Sequence, residues 1–135
     1  MSRVSVVCLC YHDGKVLVAH RNPGGQMGNR WEFPGGKVDG TESDEKAILR
    51  EMHEEFDVDV KVLSKICFKN FVNQDVNLTL HVYSVEFPHD GLAKPFKLTE
   101  HTEYKWVNFN EIRQHEFVDS DYSILNDCRN FFEVN

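Results

Sequence analysis

Residues 31–60 read WEFPGGKVDGTESDEKAILREMHEEFDVDV. The stretch opens on a Pro34-Gly35-Gly36 turn and passes into a helical pattern. Ser43 suits an N-cap, and Asp44 and Glu45 fall in the first turn, where the helix dipole favours acids. The pattern predicts a helix from there to about Phe56. At about 100° per residue, Glu54 lies about 60° to one side of Glu51 and Glu55 about 40° to the other. Ile48, Met52, Phe56 and Leu49 fill the adjoining arc, the face that packs into a core. Like charges gathered on one arc repel, so this crowding calls for a cation. Arg50, four residues before Glu54, can pair with it. Clustered carboxylate oxygens also suit Mg²⁺ or Mn²⁺, which keep places for water and phosphate. The competing reading is a solvated acidic stripe. Two features weigh against it: the acids flank the core face, and the bare Gly-Gly backbone lets a ligand approach closely.

Working outward, residues 4–11 form a nearly all-apolar strand. Asp13-Gly14 is a hairpin turn signal, with the return strand over 15–20. Residues 22–30 hold three glycines and a proline and read as a loop. A short extended piece covers 31–33. Strands follow over 58–67 and 76–87, the second alternating as Leu78, Leu80 and Val82, then a loop over 88–95 and a strand over 104–109. Residues 121–132 read as a helix with Ile124, Leu125, Cys128, Phe131 and Phe132 on one side. This order predicts an α/β sandwich, a mixed β-sheet packed between helices, in a single domain spanning 1–135.

The 135 residues are 41% hydrophobic and 27% charged, an ordinary globular balance. No apolar run nears the ~20 residues of a membrane span, and residues 1–15 read as a strand rather than a signal peptide, so the expected compartment is cytoplasmic. The net charge of −7 argues against polynucleotide binding, which needs Lys and Arg to neutralise phosphates. Asp39 to Asp59 carries nine acids against two bases, Lys46 and Arg50. A small phosphorylated substrate stays compatible with that surface if a metal bridges the like charges. The four cysteines show no metal-finger spacing and read as reduced, mostly buried thiols.

Gly36, Glu42 and the run Arg50-Glu51-Met52-His53-Glu54-Glu55-Phe56-Asp57-Val58 resemble the Nudix box, G-x5-E-x7-R-E-U-x-E-E-x-G-U with U apolar, at eight of its nine specified positions. Arg21, the EFPGGK segment and the late EHTEYKW segment resemble the MutT-like branch of that family. The resemblance implies a Nudix fold and hydrolysis of a (deoxy)nucleoside triphosphate to a nucleoside monophosphate and pyrophosphate, with Mg²⁺ or Mn²⁺. By the same resemblance Glu51, Glu54, Glu55 and the Gly35 carbonyl would hold metal, and Arg50 would orient the glutamates. Glu100 would complete the metal site or act as base, and Arg21 and Lys37 would contact phosphate. Which of Glu51, Glu55 and Glu100 is the base stays open. The one departure is Asp57, standing where the box has its last glycine, a helix-ending position that favours left-handed backbone.

Nucleotide choice rests on less. Asp121 takes the place of a base-reading Asn or Asp, where an ionised carboxylate would accept from an exocyclic amine, as on cytosine, or from an N–H of an oxidised purine. It also reads as the N-cap of the last helix. Phe33 and Phe71 are candidate stacking surfaces, and His101 is the histidine placed nearest the site. Hydrolysis of a nucleotide sugar, ADP-ribose or a dinucleoside polyphosphate is the alternative activity, and a non-catalytic nucleotide-binding module the alternative class. The expected assembly is a monomer or homodimer.

Overall fold

The strand expected over 4–11 is the axis of the fold. In the computed structural model, which describes residues 2–73, 76–88 and 101–133, it runs as β1 (Ser2–His12). Asp13 and Gly14 both take positive φ, 52° and 78°, the two-residue turn that suits strand twist. They return the chain into β2 (Lys15–Arg21). Only Tyr11 and His12 of β1 pair with β2. Below them the two strands part, and that edge of β1 is taken by β4 (Gly35–Lys37), antiparallel, with Val7 opposite Gly35 and Val6 opposite Gly36. The other edge of β1 runs parallel to β6 (Val76–Glu86), which pairs antiparallel with β5 (Lys61–Asn73). β2 carries β3 (Trp31–Glu32) and β7 (His101–Val107), both antiparallel. The described strands thus form one seven-stranded mixed sheet, forked at β1.

Side-chain alternation along β1 divides the core in two. Val6, Cys8 and Cys10 face α1 (Asp44–Phe56), packing with Ala47, Ile48, Met52 and Phe56. Val7 and Leu9 face the other way, with Val16, Leu80, Phe117, Ile124 and Cys128. There two short helices, α2 (Asp119–Tyr122) and α3 (Leu125–Phe131), cover the sheet. The result is the expected α/β sandwich. Cys8, Cys10 and Cys128 are buried free thiols, and Cys67 is half-buried.

α1 begins and ends where its sequence signals place it. The Ser43 hydroxyl accepts from Lys46 N–H at 3.2 Å. Asp57 closes the helix in left-handed geometry (φ 53°, ψ 45°), its N–H bonded to the His53 carbonyl at 3.0 Å. One position differs: Leu49, at the far end of the expected apolar arc, is 39% exposed, while Ala47, on the side of the arc nearer the acids, is buried.

Other boundaries moved for local reasons. β5 runs to Asn73 because bulges between Val62 and Ser64 and between Lys65 and Cys67 reset its alternation. It is the outermost described strand on its side of the sheet, and it leaves Leu63 and Phe68 exposed, with the Lys65 ammonium 4.6 Å above the Phe68 ring. β7 spans His101–Val107, and Phe109 belongs to a 3₁₀ turn capped by Asn108 and Glu111. The single C-terminal helix expected over 121–132 is two pieces. Ser123 Oγ donates back to the Ser120 carbonyl at 2.6 Å, and its own carbonyl accepts from Lys69 Nζ at 2.7 Å, so the ladder breaks between α2 and α3. Phe131 is exposed, while Phe132 stacks on Tyr11 at 4.5 Å. Most of the loop expected over 88–95 lies outside the described residues.

Glycine carries no penalty in the backbone region that Asp57 occupies. Asp57→Gly is expected to raise stability by ~0.5–1 kcal/mol, a gain in Tm of ~2–5 °C. Circular-dichroism melts of the two chains check this, and an unchanged or lower Tm would contradict it.

Candidate active site

The Pro34-Gly35-Gly36 turn is fastened to β1 by its backbone. Cys8 N–H donates to the Pro34 carbonyl at 2.8 Å and Val38 N–H to the Val4 carbonyl at 3.0 Å. So close an approach admits only glycine: at Gly35 (φ 146°) a Cβ would collide with the Val6 carbonyl oxygen. At Gly36 a Cβ would collide with the Glu51 carboxylate, which therefore lies directly over bare backbone.

Arg50 organises the acids of α1. Its Nε and Nη2 donate to the two oxygens of Glu42 at 3.2 and 2.6 Å. Nη1 reaches Glu51 at 2.8 Å and Glu54 at 3.4 Å, and Nη2 also donates to the Lys37 carbonyl at 3.0 Å. One guanidinium thus ties helix, turn and preceding loop together. The pairing with Glu42 holds that carboxyl below the usual range and raises the Arg50 pKa further. Glu42 is the functional partner that sequence reasoning missed. The signal was present, since the box specifies a glutamate there, but the seven intervening positions hid that it faces Arg50.

The three glutamates differ in environment. Glu54 is 59% exposed at its side chain, Glu51 is mostly covered, and Glu55 is 4% exposed. Burial pushes the Glu51 pKa up, Arg50 pulls it back, and Glu54 pushes it up again. Glu51 and Glu55 also meet through a side-chain hydrogen bond. Two carboxyl groups in contact need a proton or a cation between them. Beneath them the Cys8 thiol is pushed up by burial and then by the charges of Glu55 and Glu51. Among the described residues no three His, Cys, Asp or Glu side chains converge as a ready-made metal centre, since Glu51 and Glu54 are turned towards Arg50. The donor set nevertheless fits a hard divalent cation. It is all oxygen, two of its carboxyls are in contact, and bare glycine backbone lies beside it.

These groups form one wall of a cleft of about 540 Å³. Gly35, Gly36, Lys37, Glu51, Glu54 and Glu55 line it together with Arg21, Glu32, Phe33 and Asp121. The expected site residues therefore meet there, except Arg50, His101 and Glu100. Arg50 stands behind the glutamates, and Glu100 lies outside the described residues. Arg3, Ser5, Phe71, Leu78 and Leu80, from β1, β5 and β6, floor the far part. Apart from Phe71 they gave no sequence signal, because each sits in an ordinary strand pattern.

Asp121 is not an N-cap. Val118 caps α2, Ile124 caps α3, and neither cap bonds through a side chain. Asp121 lies within α2, buried, where Oδ2 accepts from Phe33 N–H at 2.9 Å. α2 is held in place by Val118 N–H bonding to the Trp31 carbonyl at 2.9 Å. Arg30 adds bonds to the Phe117 carbonyl and to Asp119, both at 3.1 Å. Burial, with the charge of Glu32 adding, pushes Asp121 up to about 8. That shift favours the protonated, donating form over the ionised acceptor expected from sequence. The Phe33 ring is 3% exposed and packs edge-on against Phe117 at 5.0 Å, so the ring left to face the cleft is the half-buried Phe71.

Fold and site together define a hydrolase of the Nudix family. The NUDIX domain model matches residues 1–128, and the chain belongs to that family. It is similar to the CTP pyrophosphohydrolase of Escherichia coli K12, 28% identical over 120 residues, covering 89% of this chain and 86% of that one. It is also similar to the putative 8-oxo-dGTP diphosphatase 2 of Mycobacterium tuberculosis H37Rv, 31% identical over 110 residues, covering 78% and 73%. The solution structure of the E. coli ORF135 protein superposes with a TM-score of 0.81 at 25% identity, covering 97% of this chain and 91% of that one. The chain is a Nudix pyrophosphohydrolase, of a family that generally uses a divalent metal. No described helix is long and apolar enough to cross a membrane.

Asp121 sets a pH dependence of stability. Its folded pKa of about 8 lies above its ordinary 3.8. Between about pH 4 and pH 8 the folded chain therefore binds more protons than the unfolded one, and stability falls as pH rises through that window. Asp121→Asn is expected to flatten the fall, read as urea midpoints at pH 5 and pH 8. A wild-type midpoint that rose with pH, or a variant that fell as steeply, would contradict this.

Proposed function

We propose that this chain hydrolyses a nucleoside triphosphate to the monophosphate and pyrophosphate, with a cytosine nucleotide or an oxidised purine nucleotide as its substrate. One observation carries the reading. The carboxylates of Glu51, Glu54 and Glu55, the Gly35-Gly36 backbone and the cations of Arg21 and Lys37 line a single cleft. The names of the two similar proteins, a CTP pyrophosphohydrolase and a putative 8-oxo-dGTP diphosphatase, support the choice of base.

Glu51, Glu54 and Glu55, with the Gly35 carbonyl, would hold Mg²⁺ or Mn²⁺. When bound, the metal neutralises phosphate charge and acidifies the attacking water. Arg50 keeps the glutamates in register before substrate arrives. A glutamate at hydrogen-bonding distance takes the proton of the water as it attacks. Arg21 and Lys37 receive the charge of the phosphate chain. Phe71 offers a face for the base, and Asp121 donates to a base acceptor below about pH 8 and accepts above it.

Pyrophosphate release is the test, over CTP, dCTP, 5-methyl-dCTP and 8-oxo-dGTP with Mg²⁺ or Mn²⁺. Release from at least one is expected, and the Glu54→Gln, Glu55→Gln double variant should lower kcat by ~10²-fold or more. Silence across the panel, or unaltered turnover in the double variant, would overturn the proposal.

A further inference from the structure

β7 starts at His101, three residues before the strand expected from hydropathy at Tyr104. That early start pairs His101 with Arg21 across β2 and β7, beside a register shift between His20 and Arg21. The His101 side chain is 2% exposed and is not among the groups lining the cleft. The Phe56 ring lies nearly parallel to it, with centroids 6.2 Å apart. Its Nε2 stands 2.8 Å from Glu32 Oε2. A carboxylate only accepts, so Nε2 carries the hydrogen. Glu32 Oε1 in turn accepts from Arg21 Nη1 at 3.2 Å.

Among the described residues Arg21 has one side-chain anchor, Glu32. Its Nε is buried with no hydrogen-bond partner among those residues. The direction of the guanidinium therefore depends on where Glu32 points. Glu32, half-buried at the cleft wall, is fixed at its other oxygen by His101. Without that donor the carboxylate is free to turn, and the arginine turns with it.

We propose that His101 is a positioning residue: acting through Glu32, it aims Arg21 into the cleft to receive the phosphate chain of the substrate. This rests on the reading of Arg21 as a phosphate contact. These contacts explain why a polar ring is buried at this position of β7, where an apolar residue would pack more cheaply.

The test compares wild type, His101→Leu, His101→Gln, Arg21→Gln and the His101→Leu, Arg21→Gln double variant. It measures kcat and KM on the best nucleotide, and inorganic pyrophosphate affinity by calorimetry with Mg²⁺. His101→Leu is expected to raise KM and weaken pyrophosphate binding by ~10-fold while kcat stays within ~3-fold. His101→Gln, whose amide N–H reaches Glu32, should recover most of that loss. The double variant should be no worse than Arg21→Gln alone, because the two act as one unit. Losses that multiply, a fall in kcat with KM unchanged, or a glutamine variant as impaired as the leucine one would overturn the proposal. If His101→Leu does not fold, a Glu32→Gln, Arg21→Gln cycle reads the same coupling, and independent effects there overturn it equally. A wild-type chain inert towards every nucleotide would sink the proposed activity, yet the coupling would still be measured through pyrophosphate.

Discussion

Everything in the site depends on a single guanidinium among acids. Arg50 donates to Glu42, Glu51, Glu54 and the Lys37 carbonyl. Each bond taken alone is partly exposed and modest. Together they fix the relative placement of a helix, a loop and a glycine turn. The helix would otherwise carry Glu51, Glu54 and Glu55 on one arc with nothing to oppose their repulsion. The planar fork of arginine matches this arrangement, and a lysine could not reproduce it. Arg50 is thus a resident counter-ion on an otherwise acidic helix face.

The second constraint is the fork at β1. Because β1 pairs with β2 only at Tyr11 and His12, its lower half is free to accept β4, and β4 brings Gly35 and Gly36 against the acidic helix. On the opposite face the same strand contributes Arg3, Ser5 and Val7 to the cleft. One strand therefore supports both the charged wall and the floor. The acids show the electrostatic result: burial raises Glu51 and Asp121, while Arg50 lowers Glu42.

Features set by local chemistry could be read from the sequence. Ser43 and Asp57 bound α1 because capping is decided within a few residues, and the Asp13-Gly14 hairpin obeys the same rule. The acidic arc was legible because helical spacing fixes angles whatever lies around it. What was hidden depends on partners far away in the chain. Two bulges concealed the length of β5, since each shifts the alternation by one. The break after α2 depends on Lys69, which comes from another strand. Asp121 looked like a cap because it stands near a helix start. Its real environment is made by Phe33 and Glu32, some ninety residues earlier. His101 could be suspected of nearness to the site but not of its bond to Glu32.

The outermost described strand also bears on behaviour in concentrated solution. Among the described strands β5 combines an unpaired edge with the exposed apolar side chains of Leu63, Phe68 and Val72, a pairing that invites another chain to dock backbone to backbone and seed cross-β growth. Its two bulges twist that edge out of register, and Lys61, Lys65 and Lys69 place charge along it. A visiting strand would have to bury those ammonium groups and match an irregular ladder. The irregularity that obscures this strand in the sequence also makes its edge a poor template for another chain.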